Sequence, residues 1–223
     1  MRLAAQRGYQ TAFFYRSNTS AAEKLSKEAG ALAVQADVAD ERALMRGFEA
    51  VDRLGKLEVL VNNAGITGAV GRFADLAAAD LEQVIRVNVT GAFLASREAV
   101  KRMSTRHGGS GGAIVNVSSG AARTGSPGVW IHYAASKAAL DTLTLGLAKE
   151  VAAEGIRVNG VRPGLVDTEI HAVRPPGQLA QMAKGVPMGR IGAPEEIART
   201  IVWLASPEAS YVTAAILDAG GGF

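Results

Sequence analysis

Tyr133 and Lys137 stand four residues apart in Tyr133-Ala134-Ala135-Ser136-Lys137, at the head of an apolar-patterned stretch that runs to about Glu154. On a helix this spacing stacks the two side chains on one face, one turn apart. A phenol beside an ammonium makes a proton donor and acceptor suited to neutral pH, because the positive charge favours phenolate and draws the tyrosine below its ordinary value near ~10. Taken alone, the pattern fits a surface tyrosine and lysine on an amphipathic helix equally well.

The neighbouring segments give it a context. Ala113-Ile114-Val115-Asn116-Val117 reads as a short apolar strand that ends in Ser118-Ser119. Leu57-Glu58-Val59-Leu60-Val61 is another, ending in Asn62-Asn63-Ala64-Gly65, and Ile156 to Val161 leads into Arg162-Pro163-Gly164. Strands are also expected over 9–15, 31–36 and 214–217. Helices are expected over 20–29, 40–54, from Asp80 as cap to about Arg106, and from Pro194 to about Ser206, with a helix end over 1–7 stopped at Gly8. Residues 118–130 and 162–193 read as loops. Strands alternating with helices of this length predict an α/β fold with a doubly wound parallel sheet in a single domain, residues 1–223. In such sheets ligands sit beyond the carboxyl ends of the strands, where every segment quoted above ends.

Composition narrows the function. With 48% hydrophobic and 20% charged residues in 223, the chain is large enough for a substantial core. The net charge is +3 with acids and bases interspersed, so no basic track for nucleic acid is expected. The absence of cysteine excludes disulfides and thiolate metal sites, and no metal site is expected. No apolar run reaches membrane-spanning length, and Met1 to Gly8 has no signal-peptide core, so the expected location is the cytoplasm.

From about Gly8 to Gly221 the order and content of these segments resemble the short-chain dehydrogenase/reductase family. The resemblance implies a Rossmann-type fold and a catalytic set of Asn88, Ser119, Tyr133 and Lys137. Tyr133 would exchange a proton with the substrate oxygen, and Ser119 would hydrogen-bond that oxygen, with Ser118 as its competitor. Lys137 would lower the tyrosine pKa and bind the nicotinamide ribose, and Asn88 would hold a proton-relaying water. Asn63, Ala64 and Gly65 would lie beside the adenine ribose, and Asp37 and Val38 against the adenine. Pro163, Gly164, Val166 and Thr168 would lie over the nicotinamide. At the end of the first strand, Arg16 and Ser17 stand where an acid would select NAD(H), so NADP(H) is expected. The segment 169–190, with Ile170, Val173, Leu179 and Met182, resembles the family's variable substrate lid. His132 reads as a helix-surface residue, and His171 carries no assignment. The implied partners are a small carbonyl or alcohol substrate and further copies of the chain, as a tetramer or dimer.

The family's first strand and its Thr-Gly-x-x-x-Gly-x-Gly turn have no counterpart here. Gly109-Ser110-Gly111-Gly112 precedes a strand, and Gly65, Gly68 and Gly71 open no helix, so both read as loops. Three expectations follow. The natural protein is longer by about 20–25 residues, or the sheet closes around the gap, or another chain fills it. The competing functional reading is a cofactor-free, inactive relative that serves as a binding or assembly subunit, with cofactor binding weakened or lost.

Overall fold

The computed structural model describes residues 1–168 and 177–222. In chain order its elements are α1 (Arg2–Gln6), β1 (Ala12–Tyr15), α2 (Thr19–Ala29), β2 (Leu32–Gln35), α3 (Glu41–Asp52), β3 (Val59–Asn62), α4 (Ala78–Ile85), α5 (Gly91–Met103), β4 (Gly112–Val117), α6 (Ala121–Thr124), α7 (Ile131–Val151), β5 (Ile156–Pro163), α8 (Gln178–Ala183), α9 (Pro194–Ala205) and β6 (Ile216–Ala219). All strand pairing is parallel.

Local chemistry sets many of the ends. Asn18 accepts from the Ala21 N–H and Asp40 from the Ala43 N–H, so both cap helix N-termini that begin one residue later. Gly30 closes α2 in the left-handed conformation, which costs glycine little. Pro194 opens α9, and the Glu196 carboxylate accepts from the Ala193 N–H at 2.8 Å. The helix expected from Asp80 differs. It starts at Ala78 behind Ala77, and a π-helical turn, Arg86–Thr90, separates α4 from α5. Asp80 lies in the first turn, where its carboxylate accepts from the Ala69 N–H. The loops expected over 118–130 and 162–193 contain the short helices α6 and α8.

The core lies on both faces of the central strands. On one face Met103 of α5 and Ala148 and Val151 of α7 pack on Ile114 and Val158. On the other, Leu204 of α9 covers Val115 and Val161, with Ile197 and Ile201 alongside. Strands covered on both faces read as continuous apolar runs, which is why β4 and β5 lack alternation. Arg102 ties α5 to α3 through Asp52 at 2.8 and 3.0 Å, and its guanidinium lies 4.9 Å from the Phe48 ring centroid.

The sheet is not continuous. β1 pairs with β2, and β3-β4-β5-β6 form a separate four-stranded sheet. The sheet therefore does not close around the expected gap. Phe14 of β1 and Leu60 of β3 both pack against the cluster of Leu44, Phe48 and Ala95, so α3 and α5 bridge the two half-sheets without joining their backbones.

Candidate active site

β4 delivers Ser118 and Ser119 to its carboxyl end, and α7 crosses behind with Tyr133 and Lys137 in its first two turns. The two serines take different roles. Ser118 is buried, and its hydroxyl donates to the Lys137 carbonyl at 3.0 Å, locking β4 to α7. Ser119 is half-buried and hydrogen-bonds the Tyr133 phenol. The geometry thus separates the competitors and leaves Ser119 with the tyrosine.

Lys137 is 4% exposed, and its ammonium donates to the Val117 carbonyl at 2.8 Å. It lies 5.7 Å from the Tyr133 ring centroid. Burial lowers its pKa to about 8, against the opposing effect of Asp141 one turn further along α7. The Asp141 carboxylate in turn accepts from Arg162 Nε at 2.9 Å. Tyr133 runs against the expectation from spacing. Burial raises its pKa, and the Ser119 hydrogen bond opposes that. The reason is burial itself, which withholds water from the phenolate.

Asn88 sits in the π-turn with no exposure. Its Oδ1 accepts from the Ile66 N–H at 2.8 Å, and its Nδ2 donates to the Ile66 carbonyl and to Ser136 Oγ, each at 2.9 Å. Ser136, which the sequence reading left without a role, donates on to the Tyr133 carbonyl at 2.7 Å. A methyl group built at Gly65 would lie 3.3 Å from both Lys137 Nζ and Asn88 Oδ1. Glycine therefore leaves a small space between two polar atoms at the end of β3.

The remaining expected positions divide. Asn63, Ala64 and Gly65 are exposed in the loop after β3, and Arg16 and Ser17 are exposed after β1. The Asp37 carboxylate accepts from the Ala39 N–H at 2.9 Å and so shapes its own turn. Val38 packs in the core beside Leu44 and Phe48. Pro163 ends β5, Gly164 follows it, and Val166 is buried and bridged to Gly192, with Thr168 exposed beyond. Leu179 and Met182 lie half-buried on α8, whereas Ile170, His171, Val173 and Pro175-Pro176 fall outside the described residues.

His132 corrects its expectation. It is 6% exposed, with Nε2 3.2 Å from Asp80 Oδ2. Together with the Gly71 N–H to Val129 carbonyl bond, this pins the loop after β3 to the start of α7. A buried polar chain was also missed: Asn62 Nδ2 donates to Ser96 Oγ and Asn116 Oδ1, and Asn116 Nδ2 donates to Thr144 Oγ1. Only Asp141 carried a sequence signal, four residues beyond Lys137 on the same helix face.

The profile of the family described as Enoyl-(Acyl carrier protein) reductase matches residues 1–223. The chain belongs to the short-chain dehydrogenase/reductase family. It is an enzyme of that oxidoreductase family, whose reductases use nicotinamide cofactors. It is 51% identical to the uncharacterized oxidoreductase YgfF of Escherichia coli over 227 aligned residues, covering 99% of this chain and 92% of that protein. It is 38% identical to an acetoacetyl-CoA reductase of Shinella zoogloeoides, covering 96% of this chain and 88% of the other. A doubly substituted short-chain dehydrogenase/reductase of Serratia marcescens superposes with a TM-score of 0.90 at 36% identity, over 99% of this chain and 90% of that one. Among the described residues no helix is long and apolar enough to cross a membrane, and no acid–histidine cluster could hold a metal.

Proposed function

We propose that this chain interconverts a carbonyl and a secondary alcohol with NADP(H), using Ser119, Tyr133, Lys137 and Asn88. The observation that carries the reading is the cluster of half-buried Ser119 with buried Tyr133 and Lys137 at the carboxyl end of β4. Hydride addition to a carbonyl leaves negative charge on oxygen, which must be stabilised and then protonated. Ser119 donates to that oxygen. Tyr133, held protonated at neutral pH by burial, gives up its proton and becomes phenolate. Lys137, with a pKa of about 8, is cationic at neutral pH and steadies the phenolate. The space between Asn88 Oδ1 and Lys137 Nζ suits a water that returns the proton.

The residues present fit a nicotinamide dinucleotide at its two ends. Lys137 has N–H donors beyond the one given to Val117, which suit ribose hydroxyls. Arg16 and Ser17 offer a cation and a hydroxyl to a 2′-phosphate. When bound, that cofactor supplies the hydride. A cleft of about 120 Å³ lined by Val70, Phe73, Ile131 and His132 opens beside the first turn of α7. Its apolar wall suits a small acyl or alkyl carbonyl such as a 3-oxoacyl thioester, the substrate class in the name of the Shinella relative. Phe93 and Leu145, 47% and 42% exposed on α5 and α7, suit association into a dimer or tetramer.

The test is calorimetric titration with NADPH and NADH, followed by acetoacetyl-CoA reduction monitored through NADPH absorbance. NADPH is expected to bind more tightly than NADH, and Arg16→Ala to erase about tenfold of that preference. A folded protein that binds neither nucleotide would favour the cofactor-free assembly reading.

A further inference from the structure

A ladder of ion pairs continues outward from Lys137. Asp141 follows it by one turn of α7, on the same helix face, and is 9% exposed. Its Oδ2 accepts from Arg162 Nε on β5 at 2.9 Å. Arg162 Nη1 donates at 3.4 Å to Oδ1 of Asp218, its register partner on β6. Asp218 Oδ2 accepts in turn from Arg123 Nη1 at 2.7 Å, on the short helix α6 that follows Ser119. The signs alternate from the buried lysine to the surface, where the Arg123 side chain is 60% exposed.

The inner end of the ladder is incompletely matched. Asp141 Oδ1 is buried and has no hydrogen-bond partner among the described residues. Arg162 is shared between two carboxylates, so it favours the ionised form of Asp141 without cancelling its charge in full. The remaining negative charge acts through a poorly screening interior on Lys137, one turn away. The other groups about the ammonium are neutral: the Val117 carbonyl of β4, Gly65 after β3 and Asn88 in the π-turn. Tyr133 is the other titratable group on this face of α7, and His132 is turned to Asp80 on α4. We propose that Asp141 is a positioning residue for the reaction: its buried carboxylate keeps Lys137 cationic at neutral pH, and the Arg162–Asp218–Arg123 chain keeps that carboxylate ionised and in place. The inference rests on the reading of Lys137 as the cation that steadies the phenolate. The margin is narrow. Burial has already brought the ammonium down to about 8 against the pull of Asp141. A further fall of about one pH unit would leave roughly half of the chains with a neutral amine at pH 7.

The test follows the Lys137 side chain by NMR in the whole chain, through its Cε–Hε resonance, which is assigned by its loss in Lys137→Met. In the native chain the titration is expected to centre near about 8. Asp141→Asn keeps an acceptor for Arg162 and removes the charge, so it is expected to move the midpoint down by about 0.5–1 pH unit. Asp141→Glu keeps the charge and is expected to stay near the native value. Asp141→Ala, with Arg162 still held by Asp218, carries the test if Asp141→Asn fails to fold by circular dichroism. Loss of a purely structural tie would lower stability at every pH and leave the midpoint in place, because neither Arg162 nor Asp218 titrates between pH 6 and 10.5 in roughly ordinary surroundings. The pH profile of kcat for acetoacetyl-CoA reduction is expected to move with the midpoint, its alkaline limb falling at lower pH in Asp141→Asn. A midpoint unmoved by removal of the charge, or moved as far by Asp141→Glu, would overturn the inference whatever the activity. A midpoint that moves as expected in a native chain without reductase activity would uphold the pull of Asp141 on Lys137 and overturn the proposed reaction.

Discussion

At the residue scale the site is governed by desolvation. Tyr133 and Lys137 are both buried, and burial penalises the charged form of each, raising the phenol and lowering the ammonium. Under the proposed reaction Tyr133→Phe is expected to lower kcat by about 10²–10⁴-fold with KM little changed, because only the proton transfer is lost. Ser119→Ala is expected to cost about 10²-fold by removing one donor to the developing oxyanion. Steady-state kinetics check both, with circular dichroism as the control for folding. Lys137 also makes a stability prediction. Its folded pKa of about 8 lies below the ordinary 10.5, so between those values the unfolded chain binds more protons than the folded one. Stability from this group therefore rises as pH increases from about 8 to 10.5. The penalty is fully present below that window and amounts to roughly 3 kcal/mol. Urea unfolding across the window is expected to show the rise in the native chain and to lose it in Lys137→Met.

At the element scale the site depends on how β3, β4 and α7 are tied together. The Ser96–Asn62–Asn116–Thr144 chain runs through the interior from α5 across β3 and β4 to α7. Buried polar groups that lose partners are costly, so Asn116→Ala is expected to destabilise the fold by roughly 1–3 kcal/mol by chemical denaturation. Its effect on activity is expected to follow from misplacement of Ser119, three residues along the same chain segment. The π-turn performs a similar task for Asn88. The extra residue in that turn leaves Asn88 facing the loop after β3, where both its amide groups clamp Ile66. None of these ties was legible in the sequence, because each joins segments far apart in the chain. The helix stop at Gly30 and the helix starts at Asp40, to within one residue, and Pro194 were legible, because each is set by its own neighbours.

At the scale of the whole molecule the half-sheets differ in their support. β4 and β5 are held on both sides and covered by α5, α7 and α9, whereas β1 and β2 have one partner each. Regions with fewer buried contacts open first. Native-state hydrogen exchange is therefore expected to show the β1–β2 unit opening at a lower free energy than β4 and β5, which set the global value. The order of strands and helices and the grouping of Ser119, Tyr133 and Lys137 at strand ends were already written in the sequence, since hydrophobic period, turn residues and helical spacing are local properties. The resemblance to the family implied a missing strand, and only the structure decided that the sheet stays open there, with β1-β2 apart from β3-β4-β5-β6. Tertiary structure alone decided that Ser118 braces α7 while Ser119 meets the phenol, that His132 is buried against Asp80, and that burial raises the Tyr133 proton affinity. These outcomes depend on which distant groups exclude water around a side chain, and sequence spacing carries no record of that.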